Sequence, residues 1–580
     1  MSAVPQVGFD GIVSGLVVGL LAMGIVLVYR ATRVLNFAVG NIGLIGATLL
    51  SVLVVRYHTP FWVAAPVALL VGVIFAVLVE VAVIRRLFNS PRVIVLVATI
   101  GIAELALAVA SAFPSTGSSF TGYPVAVSGT WTVAGVQITG AQLSVIVVVP
   151  VIAALLAWFL NRTTVGQTVQ ASADNPDLAR LSGISPKLVS TLVWAIAGLV
   201  GTLALILVAG QGLSSSEIAQ LGPDTLAQAL VAAVIAGLRS FPRAVVAGVG
   251  IGLISSILSY NFINQPGLID LLLFLGVLAA VWFQSRHQDP DPQTYPTAPK
   301  GRAIPDYLRE VWWLRHSGRF GYLIAGAVAV LLPLIITAPS RSLLYATILA
   351  FAICATSLTV LTGWSGLLSL GQMAFAGLGA LLAAALTTGL RMDIGLGSVH
   401  LFKFSLHPLP FAVSILIATV CMAGFATFVG LSALRVRGML LAVSTFALAI
   451  AAENFFYQMP FLSNGQSGSV PFVRGRIFGL DLAPQRTYYY VLLVVLAVVV
   501  FVLNRLRQSG IGRGMIGVRD NPDAAAAYTV SPRRYRLMAF ALAGGIAGLG
   551  GALLAGALQT VPYGKSSSWS TIHSSSSRWW

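Results

Sequence analysis

The segment ADNPDLARLSGISP at residues 173–186 has a second copy in the same chain, RDNPDAAAAYTVSP at residues 519–532. The Asp-Asn-Pro-Asp tetrapeptide and the later Ser-Pro pair recur together, because 520 − 174 and 531 − 185 both equal 346. Both copies are polar, although the chain is 57% hydrophobic and only 9% charged. A soluble domain carries about 25% charged residues. The composition therefore indicates a membrane protein that contains one polar loop twice.

Apolar runs of about 20 residues, the length that crosses a bilayer, recur along most of the chain. The first block predicts spans at 9–29, 34–55, 61–84, 93–113, 141–160, 187–210, 225–238, 244–262 and 267–284. The second block predicts spans at 321–338, 342–361, 367–389, 409–430, 438–457, 487–504 and 535–558. We therefore expect an all-α polytopic transmembrane bundle built from two parallel pseudo-repeats.

The polar segments between these blocks define the expected domains. A first repeat at 1–284 is followed by a proline-containing linker at 285–320 and a second repeat at 321–560. The tail at 561–580 is rich in serine and tryptophan, and we expect the chain after Gly556 to be exposed or disordered. The first repeat continues through 213–283 after its polar loop, and the second repeat has no counterpart of that stretch.

The net charge of +17 comes from basic residues that lie between the apolar runs. The positive-inside rule explains this placement better than nucleic-acid binding does, and it places both copies of the polar loop in the cytoplasm. No basic residue precedes Arg30, so the first apolar run is expected to stay as a span and not to be a cleaved signal peptide. Six basic residues do not follow the rule: Arg341, Arg391, Lys403, Arg474, Arg476 and Arg486.

The repeated loop has the residues of a short capped helix. Asparagine can cap a helix, proline suits its first position, and aspartate in the first turn complements the helix dipole. Gly183 fits the left-handed residue that ends such a helix, whereas Thr529 should end the second helix less cleanly. The pattern residues are Asp174, Asn175, Pro176, Asp177, Leu178, Arg180 and Gly183 in the first copy, and Asp520, Asn521, Pro522, Asp523 and Tyr528 in the second.

A single copy could be an ordinary solvated loop. Two copies between matched spans favour a lever that another protein grips in order to move the spans.

Glycine and amide residues interrupt matched spans of the two repeats. They suit either tight packing or a broken helix that lines a pathway, and they are Asn36, Gly40, Asn41, Gly43, Gly371 and Gln372. Glu104 and Glu453 are intramembrane carboxylates, which usually face a protein interior. A structural hydrogen bond is as good an interpretation for them as transport, and a proton-binding carboxylate would indicate a secondary transporter.

Enzymatic and metal sites are not indicated by the sequence. Gly564-Lys565-Ser566 resembles the end of a phosphate-binding loop, but Gln559 stands where that motif needs glycine. The six histidines show no metal-ligand spacing. We therefore expect no catalytic residues, no metal and no cofactor. Gly11, Gly15 and Gly19 lie on one helix face, which indicates close helix packing.

Several segments resemble a known family in the same order. VGQTVQASADNPDLARLSGISPKLVSTLVWAIAG resembles the coupling loop of ABC importer permeases, most closely the Liv-type permeases for branched-chain amino acids. VLVYRATRVLNFAVGNIGLIGA and AGLRSFPRAVVAGVGIGL resemble the H-type subunit. LTGWSGLLSLGQMAFAGLGA and IGRGMIGVRDNPDAAAAYTVSPRRYRLMAFALAGGIAGLGGALLAG resemble the M-type subunit. The resemblance covers nearly all of 8–284 and about 325–560, as if both subunits were fused.

The resemblance implies two pseudo-equivalent halves around one pathway in a bacterial cytoplasmic membrane. It implies two cytoplasmic ATPase subunits on the two loops and an extracytoplasmic solute-binding protein. It also implies a branched-chain or other hydrophobic amino acid as solute, with amides, urea and other small solutes still open. The alternatives are an ion-coupled secondary transporter and a scaffold that does not transport.

Overall fold

The computed structural model describes residues 3–562 except 88–89, 91, 115–121, 134, 213–217, 239, 263–266, 285–311, 313–315, 337, 397–398, 434–438, 460–461, 463–468 and 478. The chain forms two compact units, Met1–Gln284 and Ser285–Trp580. Most of the predicted linker at 285–320 and the tail from 563 onward fall outside the described residues.

The first unit is a helical bundle with one β-hairpin. Its helices are α1 (Ala3–Thr32), α2 (Val39–Ser51), α3 (Phe61–Val79), α4 (Arg92–Ser111), α5 (Gly140–Arg162), α6 (Thr164–Asp174), α7 (Pro176–Leu181), α8 (Pro186–Ala209), α9 (Ile218–Ile235), α10 (Phe241–Asn261) and α11 (Leu268–Gln284). Short π-helical turns, Val52–Arg56 and Glu80–Ile84, continue α2 and α3. The antiparallel strands β1 (Thr130–Val133) and β2 (Val136–Thr139) precede α5.

After one leading helix, the described part of the second unit follows the plan of the first unit from α1 to α8. Its helices are α12 (Ser317–Ile335), α13 (Pro339–Leu358), α14 (Gln372–Thr388), α15 (Phe411–Ala433), α16 (Met439–Asn454), α17 (Gln485–Gln508), α18 (Gly510–Asp520), α19 (Pro522–Ala527) and α20 (Pro532–Leu558). A π-helical turn, Thr359–Trp364, continues α13. The strands are β3 (Arg391–Leu396), β4 (Val399–Ser405), β5 (Ser469–Pro471), β6 (Arg476–Ile477), β7 (Leu480–Asp481) and β8 (Thr560–Pro562).

Twelve helices in the described part of the chain are long and apolar enough to cross a membrane. Four further apolar helices are shorter than a typical span: Thr225–Ile235, Leu268–Phe283, Phe320–Ile335 and Gln372–Thr388. The prediction of an all-α polytopic fold is confirmed, and the chain is a multi-pass membrane protein. The four two-stranded sheets were not predicted; they lie in segments between helices or just after α20.

Small residues bring helices of the first unit into backbone contact. A Cβ atom on Gly15 would lie 2.6 Å from the Cα atom of Val249 in α10, and one on Gly11 would lie 2.9 Å from the Cα atom of Leu253. Such distances leave no room for a side chain, so the predicted close packing of this face is confirmed. Glycine is favoured there because it lets two backbones approach.

The chain just after α20 is packed into the second unit. Gln559 ends the helix in a left-handed conformation (φ 60°), and β8 then pairs antiparallel with β5. Val561 is only 6% exposed. The expectation that the chain becomes exposed or disordered after Gly556 is therefore wrong as far as residue 562. The pairing joins segments about 90 residues apart, which local sequence signals do not encode.

Candidate functional site

The repeated polar loop forms two helices in each unit, where the sequence predicted one. In the first unit α6 precedes α7, and in the second α18 precedes α19. Each pair starts 346 positions apart, as 510 − 164 and 522 − 176 show. The loop is therefore the same two-helix structure twice, held between the long helices α5 and α8 or α17 and α20.

The missed helices α6 and α18 have a local signal in their capping residues. The Thr163 hydroxyl accepts a hydrogen bond from the backbone N–H of Gly166 at 3.0 Å, and the Ser509 hydroxyl accepts one from Gly512 at 3.5 Å. Hydroxyl side chains are preferred at this position because they bond the free N–H groups of the first turn. Each helix has a buried apolar side chain, Val169 in α6 and Met515 in α18.

The predicted caps of α7 and α19 are confirmed. The side-chain oxygen of Asn175 accepts a hydrogen bond from the N–H of Leu178 at 3.0 Å. The matching oxygen of Asn521 accepts from the N–H groups of Asp523 at 3.1 Å and Ala524 at 2.9 Å. The side chains of Asp174, Pro176 and Asp177 lie outside the described part of the structure, although their backbones are helical.

Asp520 has a separate contact just before α19. Its carboxylate accepts a hydrogen bond from Arg519 Nε at 2.8 Å. The same arginine donates to the carbonyl oxygen of Gly363 at the end of the π-helical turn after α13. Arg519 thus fastens α18 to a membrane helix, and Asp520 holds the arginine in place.

Both short helices end in one type of turn. Gly183 (φ 80°) and Thr529 (φ 65°) are both left-handed. The N–H of Ile184 donates to the Ala179 carbonyl and the N–H of Val530 donates to the Ala525 carbonyl, each at 3.0 Å. This pattern is the Schellman motif. The expectation of a less clean end at Thr529 is corrected, since the geometry is the same and the difference is strain at a β-branched residue.

We expect Thr529→Gly to stabilise α19 by about 1 kcal/mol, because glycine takes the left-handed conformation without the clash that an L side chain makes there. Gly183→Thr should weaken α7 by a similar amount. Hydrogen–deuterium exchange of the Ala525–Val530 amides would measure the change as slower exchange in Thr529→Gly. Thr529→Ala is the control, since alanine keeps most of the strain. Equal exchange in Thr529→Gly and the parent chain would contradict the prediction.

The short helices point apolar side chains outward. Leu178 is 60% exposed, Leu181 is 86% exposed and Tyr528 is 81% exposed, whereas Ala179 is buried. Arg180 is exposed on the same helix. The short helix α7 thus exposes two leucines outside the apolar spans.

The predicted spans 34–55 and 367–389 are not helical in their first residues, and we call the non-helical residues before α2 (33–38) and before α14 (365–371) the breaks. Residues between α1 and α2 are not helical, and there the buried Asn36 accepts a hydrogen bond from the Ala38 N–H at 2.9 Å. In the second unit the Ser369 hydroxyl accepts from the Gly371 N–H at 3.3 Å. Position 369 is 333 residues after 36, the spacing that relates these spans in the sequence. One side-chain-to-backbone contact therefore shapes both breaks.

A buried threonine closes each break, and sequence reasoning assigned it no role. The Phe37 N–H donates to the Thr99 hydroxyl at 3.4 Å, and the Leu370 N–H donates to the Thr445 hydroxyl at 2.9 Å. Thr99 and Thr445 are 346 positions apart. Their match in the repeat was the available signal, but a buried threonine between apolar residues does not reveal a distant partner.

The other predicted pathway residues pack inside their units. Gly40 approaches the Gly222 carbonyl, and a Cβ atom there would lie 2.8 Å from it. Gly43 lies against the backbone of Gly201. The Asn41 amide donates to the Ala103 carbonyl at 3.0 Å. The contacts of these three residues fit the packing interpretation of their positions.

Gln372 is buried at the start of α14. Its side-chain oxygen accepts from the Ser357 hydroxyl at 3.4 Å. Gln372 Nε2 and Asn41 Oδ1 are buried without a hydrogen-bond partner among the described residues. Asn36 Nδ2, in the break itself, is unsatisfied among the described residues as well, so the first unit has two such amide atoms close to its break and the second has one, where a polar solute group could be bound.

The two intramembrane carboxylates do not face the interior of their units. Glu104 lies on an exposed face of α4, and Glu453 on an exposed face of α16. The expectation that Glu104 and Glu453 face a protein interior is therefore wrong within each unit. Hydropathy places a glutamate along a span but does not say which way the helix turns it.

Glu80 is a buried carboxylate of the first unit that sequence reasoning missed. It is 0% exposed, at the point where α3 passes into its π-helical turn. Glu80 precedes Arg85 by five residues, so the pair looks in the sequence like the charged end of a span.

A protein family described as the permease component of the branched-chain amino acid transport system matches residues 8–281 and 339–573. The second match extends to residue 573. It therefore includes part of the tail at 561–580, which the resemblance did not cover. No solved structure matches the chain.

Curated relatives match one half of the chain each. A probable branched-chain amino acid transport permease protein LivH from Methanocaldococcus jannaschii is 29% identical over 274 residues, which is 45% of this chain and 85% of the relative. The high-affinity branched-chain amino acid transport system permease protein LivH of Salmonella typhimurium is 26% identical, over 47% of this chain and 91% of the relative.

The corresponding LivM protein of Escherichia coli is 27% identical over 228 residues, which is 35% of this chain. The chain spans only 50% of the length of that relative. The family matches nevertheless cover most of both units, and they carry the repeated loop and both breaks. The chain therefore belongs to the family of permease components of branched-chain amino acid transport systems, and it is matched by that family twice.

Proposed function

We propose that this chain forms the translocation pathway of an ATP-driven importer for branched-chain and other hydrophobic amino acids in a bacterial cytoplasmic membrane. The observation that carries the proposal is the repeated two-helix loop, with the same caps and end turns in both units. A transporter driven from the cytoplasm by two similar ATPase subunits needs two equivalent docking elements. The named relatives favour branched-chain amino acids as the solute.

The ATPase subunits would dock on α7 and α19. In α7 the docking side chains would be Leu178 and Leu181, and in α19 the contact would centre on Tyr528. The hydrogen bond from Ile184 to Ala179 joins α7 to the start of α8 without a flexible linker. A pull on α7 would therefore reach α8 directly, and the corresponding turn would transmit a pull on α19 to α20.

The broken spans would border the pathway. Asn41 and Gln372 each offer an unsatisfied amide atom, and broken helices in transporters bind polar solute groups. Asn36 and Gly371 would shape the breaks, while Gly40 and Gly43 would let neighbouring helices come close. Glu104 and Glu453, on exposed faces of their units, would add negative charge to the pathway and attract the solute ammonium group.

An extracytoplasmic solute-binding protein would deliver the amino acid. The β1–β2 hairpin leads into the start of α5, whereas α6 follows the end of α5. The hairpin is therefore at the opposite end of that helix from the ATPase loop. Its exposed Trp131 and Val133 offer an apolar surface for the binding protein.

Transport in vesicles would separate this function from an ion-coupled secondary transporter. With ATPase and binding-protein subunits present, we expect leucine uptake to need ATP on the cytoplasmic side. Uptake should continue when an uncoupler collapses the ion gradient at constant ATP. Uptake that stops with the uncoupler while ATP stays constant would contradict the proposal and favour ion coupling.

A further inference from the structure

Helices α3 and α8 pack along a seam that recurs in the second unit between α15 and α20. In the first unit the facing pairs are Gly72 with Thr202, Ala76 with Gly198, and Glu80 with Thr191. In the second unit they are Met422 with Gly548, Ala426 with Gly544, and Gly430 with Leu537. The α3 partners recur 350 positions later and the α8 partners 346 positions later, so the three pairs correspond one to one.

The third pair is a polar contact in the first unit and an apolar contact in the second. In the second unit a Cβ atom on Gly430 would lie 3.4 Å from a methyl group of Leu537, so the contact is apolar. In the first unit the Thr191 hydroxyl donates to Glu80 Oε2 at 2.7 Å. This pair is at the end of the seam nearest to α7, because Thr191 lies in the second turn of α8.

Arg85 completes the polar contact. Its Nη2 atom donates to the Thr191 hydroxyl at 2.6 Å and lies 3.4 Å from Glu80 Oε2. The three side chains thus form a closed triangle that joins the π-helical end of α3 to α8. Turns of this π-helical kind occur frequently at functional sites.

The triangle is a costly way to hold two helices together. Glu80 Oε1 and Arg85 Nε are buried without a hydrogen-bond partner among the described residues. The Glu80 side chain is 1% exposed and the Arg85 side chain 31% exposed, and replacing a buried charge and its partner by apolar side chains is often neutral or stabilising. The second unit has an apolar contact at the corresponding position, so stability alone does not account for the charged pair in the first unit.

We propose that Glu80, Arg85 and Thr191 form a latch that makes α3 follow α8 when the ATPase moves α7. Thr191 is the positioning residue on the moving helix, and the carboxylate of Glu80 is its partner on α3. Both helices pack on α2, since a Cβ atom on Gly46 would meet the Ala68 carbonyl oxygen at 2.7 Å and also the Thr202 side chain. With the latch closed, α3 and α8 move together against α2.

This inference rests on the proposed function and adds an asymmetry to it. In the first unit a polar latch ties the seam at the end near α7. In the second unit the corresponding contact, Gly430 with Leu537, is apolar and does not form such a latch. The two halves therefore respond differently to equal strokes of the two ATPase subunits.

The test uses the full chain with its ATPase and binding-protein subunits in proteoliposomes, and it measures leucine uptake and ATP hydrolysis together. Thr191→Val removes the hydroxyl at constant shape. We expect the leucine taken up per ATP hydrolysed to fall about tenfold, the factor for losing one hydrogen bond to a charged group, while ATPase binding stays normal. Glu80→Gln should give a loss in the same direction. Thr191→Ser keeps the hydroxyl and should restore the ratio.

Thr427→Val is the matched control, because among the described residues the Thr427 hydroxyl donates to the Ala423 carbonyl within its own helix, α15. It should leave the ratio unchanged. A Thr191→Val protein with the parent ratio would overturn the latch while leaving the ATP-driven function intact. Equal losses of uptake, hydrolysis and folded complex would show a structural role and also overturn it. Absence of ATP-driven uptake in the parent complex would overturn the proposed function, and the latch with it.

Discussion

The double variant Leu178→Ser, Leu181→Ser should insert and fold normally but lose its ATPase subunit and its transport activity. The two side chains are 60% and 86% exposed, so the fold loses little when they are removed. In a complex each leucine would be buried, and burying one contributes about 1.5–3 kcal/mol. The docking free energy should therefore weaken by about 3–6 kcal/mol, a factor of at least a hundred in affinity. Co-purification with the ATPase subunits and leucine uptake would both measure this loss.

Leu188→Ser is the matched control, because Leu188 is 68% exposed but belongs to α8. It should retain ATPase binding. Tyr528→Ala, directly after α19, should cause a smaller loss than the double leucine variant, since it removes one exposed apolar side chain and not two. ATPase binding that survives in the double leucine variant would show that α7 is not the docking element.

Local signals in the sequence were enough to predict the capped helices α7 and α19. Asparagine caps, prolines at the first helical position and a left-handed glycine act within a few residues, so they can be interpreted without the fold. The recurrence of the loop 346 residues later then distinguished it from an ordinary turn. The helices α6 and α18 escaped notice because their single hydroxyl caps follow directly after long apolar helices.

Contacts that depend on distant residues could not be predicted in the same way. The direction of Glu104 depends on how α4 rotates in the bundle, which hydropathy does not determine. The role of Thr99 depends on Phe37, which is 62 positions away. Glu80 was missed because its partner Thr191 is 111 positions further along the chain. Tertiary packing decides these interactions, and a single sequence does not display it.

Arg474 is another residue whose contacts could not be predicted from the sequence, where it is an exception to the positive-inside rule. The side chain is only 9% exposed, and it donates to the carbonyl oxygens of Gly556 and Ala557 at the end of α20, at 2.5 and 2.7 Å. It also reaches the Leu482 and Ala483 carbonyls at 3.4 Å. A cation at a helix C-terminus complements the helix dipole. These contacts explain why Arg474 is an exception to the positive-inside rule.

Replacing Arg474 by methionine should destabilise the second unit by about 3–5 kcal/mol, because it takes the arginine donor from the Gly556 carbonyl, leaves Gln485 as the donor to the Ala557 carbonyl, and removes a desolvated charge from its partners. Burial lowers the pKa of Arg474, which shows that its charge is held in a poorly solvated place. The guanidinium also lies 4.2 Å from the centre of the Tyr488 ring, so its loss removes a cation–π contact. Thermal unfolding in detergent should show an earlier transition, and the amides of β8 should exchange faster.

Arg474→Lys should recover only part of the loss, since an ammonium group cannot reach carbonyl oxygens on two sides as a planar guanidinium does. Arg476→Met is the matched control, because Arg476 is exposed and only two positions away. That variant should unfold like the parent chain. If Arg474→Met also unfolds like the parent, the carbonyl groups at the end of α20 find other donors, and the pairing of β8 with β5 does not depend on the arginine. If it unfolds early as expected, one buried cation fixes both the end of the last long helix and the strand that follows it.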